Sequence, residues 1–357
     1  MKRLPLAAVL AAFFFFLLVS VSVRQAVLML VGVGMGAALA GARFGFTTGW
    51  RTLIEQKDPQ GVTGQVLLLA LASLAALPLL RQFSELHAAL GPPSVSLLVG
   101  AFVFGMTMQI ADGCGSGTLY KAGLGVPLNM GILPLFALGS FLGSVHLDKW
   151  LALGQIEPVG LSERFGTGGA LALTLVLLAL CLLAVRVWVG PGRVWLQKRW
   201  VIGAVALAVL ATLNLLLAGQ PWGVVYGFGL WAAKAGTALG LFDPAANAFW
   251  SQPGNLQRLS QTVFMDVTTI TNIGILGGAL WVAAAAPASS KPLTGTQWAI
   301  GLLAGFVMGY SSRLAFGCNI GAMLSGISTG SLHGWLWVPM AFAGTLIGVR
   351  IRRRYQF

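Results

Sequence analysis

Charge is what this chain has least of. Only 9% of its 357 residues are Asp, Glu, Lys or Arg, against about 25% in a soluble domain. Nine of them are acids, while 57% of all residues are hydrophobic. A water-soluble globule is excluded. Cysteine is scarce too: Cys114, Cys181 and Cys318. They lie far apart in sequence, so the spacings of zinc sites and CxxC redox pairs are absent. No low-complexity tail and no soluble domain is present. The net charge of +13 does not sit on a basic module with interleaved aromatics, so nucleic acid is not an expected partner.

What remains is apolar. Eleven runs lie near 5–23, 26–42, 62–80, 94–111, 126–146, 167–190, 200–219, 223–241, 264–286, 297–316 and 334–349. Each approaches the ~20 residues a helix needs to cross a bilayer. The chain reads as an all-α integral membrane protein surrounded by lipid. The first run resembles a signal peptide but lacks a small-x-small cleavage site, so residues 1–25 are taken as a first membrane helix. "RVWLQKRW" (193–200) and "RIRRRYQF" (350–357) place basic residues at run ends, the pattern of cytoplasmic loops; a central basic site for an anion is the alternative use of such charge. "VGVGMGAALAGARFGFTTG" (31–49) and "GVVYGFGLWAAKAGTALG" (223–240) are short and glycine-interrupted, as discontinuous helices are. With runs 26–42 and 223–241 read as re-entrant or broken, about nine transmembrane helices remain.

An internal repeat organises the chain. "LLVGAFVFGMTMQIADGCGSG" starts at Leu97 and "GLLAGFVMGYSSRLAFGCNIG" at Gly301, a constant offset of 301 − 97 = 204. Gly105, Gly113, Cys114 and Gly117 match Gly309, Gly317, Cys318 and Gly321. With one residue inserted, Gly139 and Gly143 match Gly344 and Gly348. This divides the chain into a first half at 26–147, a linking segment at 148–222 and a second half at 223–357. Nine crossings make the halves inverted, the arrangement that puts a binding site at the midplane of transporters. They also put the N-terminus on the outer face, which the basic start "MKR" opposes.

Non-helical backbone at membrane depth survives only where protein or water satisfies it. Two Gly-Cys-x-x-Gly loops, built on Gly113, Cys114, Gly115 and Gly117 and on Gly317, Cys318 and Gly321, are therefore expected inside, lining a cavity. If each loop opens the helix that follows, free N–H groups and the positive dipole end face that cavity. The thiols add a weak donor and a polarizable acceptor, suited to an anion that carries a soft sulfur. Cys181, in "LALTLVLLALCLLAV", reads as a packed apolar side chain. Asp112 and Asp266 are the acids in or beside apolar runs, and Lys121, Lys234 and Arg313 are the matching bases; each is a pathway group or half of a structural ion pair. Thr47 and Thr48 mark a polar break in "RFGFTTGWR", whose Arg43 and Arg51 read as interfacial.

"GCGSGTLYKAG", "RLAFGCNIGAMLSGISTGSLHGWLW", "PWGVVYGFGLWAAKA" and "DVTTITNIGILGGAL" resemble the YeeE/YedE sulfur-transport family of bacterial inner-membrane proteins, over nearly the whole chain from about residue 30. The resemblance implies an hourglass-like bundle of two inverted halves with short loops meeting at its centre. It implies uptake of thiosulfate or a related sulfur or selenium compound, held by central cysteines through S–H···S contacts, with no cofactor. Cys114 and Cys318 match two of these cysteines. A further one, on an earlier loop, has no counterpart; Thr47 and Thr48 lie in that region. Some relatives work with a small TusA-like cytoplasmic sulfur carrier. No nucleotide-binding motif is visible. A membrane thiol/disulfide oxidoreductase is the rival reading, although the second cysteine set it needs is missing.

Overall fold

The computed structural model describes residues 3–285 and 292–357. Helices follow one another through the chain, and among the described residues no strand forms. They are α1 (Arg3–Ser20), α2 (Val23–Gly41), α3 (Phe46–Gln56), α4 (Gln60–Gln82), α5 (Val95–Ile110), α6 (Gly115–Gly123), α7 (Pro127–Val145), α8 (Leu147–Leu151) and α9 (Leu161–Val189). Then come α10 (Lys198–Ala218), α11 (Val225–Ala238), α12 (Pro253–Ser260), α13 (Val267–Ala283) and α14 (Gly295–Leu314). A π-helical turn at Asn319–Ser325 runs into α15 (Gly326–Ser328), and α16 (Leu332–Arg354) closes the chain. Local chemistry sets several starts. Ser22, Ser94 and Asp266 accept the N–H groups of Gln25, Leu97 and Thr269, satisfying donors that a helix start leaves free.

Among the described residues, nine helical stretches are long and apolar enough to cross a membrane. The chain is a multi-pass membrane protein. The membership of the nine differs from the sequence expectation. The run at 26–42 is not a re-entrant stub: α2 is continuous over 19 residues. It packs along α13, itself only 17 residues. Gly36 and Gly278 let the two backbones touch, since a Cβ on either would strike the Ile275 or Val33 carbonyl of the facing helix. The run at 223–241 does behave as anticipated. Helix α11 has 14 residues, about 21 Å, too short for a ~30 Å hydrocarbon core. It starts beside Trp222, whose carbonyl accepts from Ser325 Oγ at 2.6 Å.

Helix α2 belongs to one of the nine stretches, α13 at 17 residues falls just short of them, and contacts relate the two chain ends. Arg3 lies 5.4 Å over the Trp281 ring at the end of α13. Ala279 of that helix faces Gly123, just before α7, and Leu128 in the first turn of α7 packs on Gly301 of α14. Gln297, at the start of α14, donates to the Tyr355 carbonyl at 3.0 Å. On this same face Arg353 pairs with Glu55 at 2.8 Å and Lys57 lies 4.0 Å over Trp188. Arg3 therefore lies on the same basic face as the end of α16.

The centre is built on a reciprocal crossing. A Cβ on Gly105 of α5 would strike the Ala341 carbonyl of α16; one on Gly309 of α14 would strike the Phe136 carbonyl of α7. Gly139 of α7 abuts Phe306 and Tyr310; Gly344 of α16 abuts Phe102 and Met106. Every partner is the repeat mate of the corresponding partner. The glycines that recur at offset 204 or 205 are thus the points where paired backbones meet, which suits close packing in lipid. Helices α5 and α14 also touch start to end: Ser96 Oγ donates to the Leu314 carbonyl at 2.9 Å. Helices α1 and α9 are peripheral, with Leu4, Val19, Val176 and Val187 exposed.

Substituting Val for Gly105 or Gly309 forces two main chains apart. We expect either change to destabilise by at least the ~1–3 kcal/mol of ordinary overpacking, read as a lower unfolding temperature of detergent-purified protein. Gly41→Val, where a Cβ meets nothing within 4 Å, should leave that temperature nearly unchanged.

Candidate functional site

Two turns of one design end α5 and α14. In the first, Ala111 N–H bonds Thr107 O, Asp112 adopts φ 54°, and Gly113 N–H bonds Met108 O at 3.1 Å. In the second, Ala315 N–H bonds Ser311 O, Phe316 adopts φ 57°, and Gly317 N–H bonds Ser312 O at 2.8 Å. Asp112 and Phe316 hold left-handed backbone although neither is glycine, which costs roughly 1–2 kcal/mol each. Gly317 has φ 146°, which only glycine adopts freely. A Cβ there would lie 2.6 Å from Ala322 N; on Gly113 it would lie 2.8 Å from Thr118 N. Each turn then opens a helix, with Cys114 the cap of α6 and Cys318 the cap of the π-helical turn.

The turns meet in the core. A Cβ on Gly115 would lie 3.2 Å from Cys318 Sγ, so a side chain there would press on the second thiol. Both cysteines are free and fully buried. Cys114 Sγ lies 3.4 Å from Ser116 Oγ, and Cys318 Sγ accepts from Ile320 N–H at 3.4 Å. Polar capacity around them is unspent. Both side-chain amide atoms of Asn319 and the hydroxyls of Thr118 and Thr47 are buried without a partner. Such groups cost roughly 1–3 kcal/mol each when left unpaired.

Cavities reach the turns from two sides. One, of about 640 Å³, is lined by Asp112, Lys121, Asn129, Trp298, Arg352 and Phe357 among others. Here one carboxylate gathers three cations: Asp112 to Arg51 at 2.8 Å, to Lys121 at 2.7 Å and to Arg352 at 3.3 Å. The other, of about 370 Å³, is lined by Phe316, Arg313, His333, Phe249 and Gln252 among others. Asp112 and Phe316 occupy corresponding places in the two turns, so each turn has its own cavity.

The expected site residues do not all gather. Gly113, Cys114, Gly115, Gly117, Gly317, Cys318 and Gly321 form the two turns. Lys121 stands one turn from them, bound to Asp112. Thr47 is adjacent, its carbonyl accepting from Gln109 Nε2 at 3.3 Å. The Thr48 carbonyl accepts from the Thr52 hydroxyl at 3.1 Å within α3. Asp266 caps α13, accepting Thr269 N–H at 2.7 Å, and none of its hydrogen bonds reaches either turn. Arg51, read as interfacial, pairs with Asp112 at 2.8 Å. Cys181 is half-buried on α9. Asn319 and Arg352 were missed. Asn319 sits inside the second cysteine motif, where its place was a usable signal; Arg352 lies in a basic tail that reads only as topology.

A sulphur transport family profile matches residues 41–347. The chain belongs to the sulphur transport family. It is 29% identical over 332 residues to the thiosulfate transporter TsuA of Spirochaeta thermophila, covering 86% of this chain and 93% of that protein. It is 22% identical to the TsuA of Escherichia coli, covering 91% and 95%. A 169-residue stretch is 29% identical to the probable transporter YedE of Salmonella typhimurium, covering 46% of this chain and 40% of that one. The chain is therefore a transporter of the sulphur class.

Asp112 is the common counter-ion of three bases, so Asp112→Asn leaves three charges facing one another. We expect it to destabilise the fold more than Lys121→Met does, by on the order of 1–3 kcal/mol, read as a lower unfolding temperature. Thermal melts of both purified variants decide the order.

Proposed function

We propose that the chain is a permease that imports a small sulfur oxyanion, thiosulfate foremost, across the inner membrane of a bacterium. The observation that carries this reading is the meeting of the two cysteine turns, with unpaired polar groups beside them and a cavity on each side. The repeat, the antiparallel contact of α5 with α14 and the reciprocal glycine crossings support two inverted halves with an hourglass-like pathway at their centre. The basic face, with Arg3, Lys57 and Arg353, is taken as cytoplasmic by the excess of Lys and Arg.

Each group has a task in this reading. N–H groups at the start of α6 and of the π-helical turn, where Gly115, Gly117 and Gly321 leave room for close approach, hold the anion's oxygens. Cys114 and Cys318 donate S–H to a terminal sulfur and offer soft surface to it. Asn319, Thr118 and Thr47 supply further hydrogen bonds. Asp112, with Lys121, Arg51 and Arg352, sets the potential of the inner mouth, where a TusA-like carrier would collect the product. No covalent bond is made or broken, so passage needs no enzyme chemistry. If sulfur contacts contribute even about 1.4 kcal/mol, thiosulfate is favoured over sulfate roughly tenfold.

Uptake of labelled thiosulfate by membranes of matched expression tests this. Cys114→Ala and Cys318→Ala should each reduce it at least about tenfold, while Cys181→Ala retains it. Unlabelled thiosulfate should compete and sulfate should compete weakly. Equal uptake in all three variants, or sulfate competing as well as thiosulfate, contradicts the assignment. A free-thiol count that rises on reduction would favour the oxidoreductase reading instead.

A further inference from the structure

The two mouths are unequal, and the inequality follows from the repeat. Offset by 204, Asp112 corresponds to Phe316 and Gln109 to Arg313. The inner mouth has three cations and its own carboxylate, at 2.7–3.3 Å. The outer mouth has a cation and no carboxylate. Among the described residues no ion pair includes Arg313, and its buried Nε has no hydrogen-bond partner. Asp148, on the short helix α8 that walls the same cavity, does not reach it. Aromatic rings hold the guanidinium in place: its carbon lies 4.7 Å from the Phe249 centroid and 5.7 Å from that of Tyr226. Its Cβ packs against the Gly143 position. Rings position a guanidinium without neutralising it.

A half-buried cation with no counter-ion is costly unless something pairs with it. The cavity that Arg313 lines holds about 370 Å³, ample beside the ~30 Å³ share of one water. Its wall includes Phe316, two residues before Cys318. Gln252 adds a neutral amide to the lining, and His333 a ring whose Nδ1 accepts Gly91 N–H at 3.2 Å. A planar guanidinium offers paired donors to an oxyanion.

We propose that Arg313 is the centre of an outer anion-binding site that captures small divalent oxyanions before they reach the cysteine turns. This rests on the permease reading for its direction but not for its chemistry. The site reads charge and oxygen geometry; the thiols beyond it read sulfur. Sulfate and thiosulfate are therefore both ligands of the outer site. At the inner mouth Asp112 already occupies the cations, so an anion arriving there meets a competitor and leaves. The repeat thus carries an uncompensated cation where the anion enters and a compensated cluster where it exits.

The test separates binding from transport. Purified protein is melted across a range of sulfate and, separately, thiosulfate at constant ionic strength set with chloride. Wild type should show saturable stabilisation by both anions. Arg313→Gln should raise the half-saturating concentration at least about tenfold, and Arg313→Lys, which keeps the charge, by no more than about threefold. Cys318→Ala should keep the sulfate response. In proteoliposomes that take up thiosulfate, Arg313→Gln should raise KM about tenfold with a smaller change in the maximal rate. Wild-type half-saturation by either anion in Arg313→Gln overturns the proposal, as does the absence of any saturable response in the wild type. If anions stabilise through Arg313 but no thiosulfate is taken up, the site stands and the permease reading falls.

Discussion

Backbone that leaves the helix inside a bilayer has only protein or trapped water to bond with. That constraint organises this molecule. The turns at Asp112–Cys114 and Phe316–Cys318 can exist at depth because other helices wrap them. The wrapping is tight because glycine backbones touch: Gly105 against α16, Gly309 against α7, and Gly139 and Gly344 against α14 and α5. Remove the close crossings and the turns lose their shelter. Remove the turns and Gly115 no longer lies against the buried Cys318 thiol.

Much of this was legible in residues. The constant offset of 204 announced two copies of one turn with the paired Gly113 and Gly317; the left-handed backbone that Asp112 and Phe316 share showed only in the structure. Glycines that recur in register were read only as signs of a repeat; that they are the points where helices cross showed in the structure. Other features were hidden. The run at 26–42 looked broken because Gly32, Gly34 and Gly36 interrupt it, yet Gly32 and Gly36 serve contact with α13, and Gly34 contact with Leu210 of α10, along an unbroken helix. Asp266 read as a pathway acid because it begins an apolar run; the structure shows it as the capping acceptor that the start of α13 needs. Composition cannot tell a cap from a ligand when both are lone carboxylates in apolar surroundings. Arg352 was invisible for a related reason: a basic tail satisfies the topology rule whether or not one of its members turns inward.

In the proposed reading, function comes from what the two halves do not share. The turns and crossings are common to both halves. Asp112 in place of Phe316, and Arg313 in place of Gln109, set the charge of the mouths apart. On the proposed reading, a repeated frame carrying unequal charge would offer an anion different partners at entry and at exit: oxygen and charge read at the guanidinium, sulfur at the cysteines.

The central claim is that Cys114 and Cys318 share one enclosed pathway that thiosulfate occupies. Alkylation of the chain in membranes by a small maleimide, followed by peptide mass analysis, measures this directly. The account predicts that both cysteines react slowly, that thiosulfate protects both together, and that equal sulfate protects neither to the same degree. Fast modification of either thiol by a lipid-soluble reagent, unaffected by thiosulfate, would contradict it.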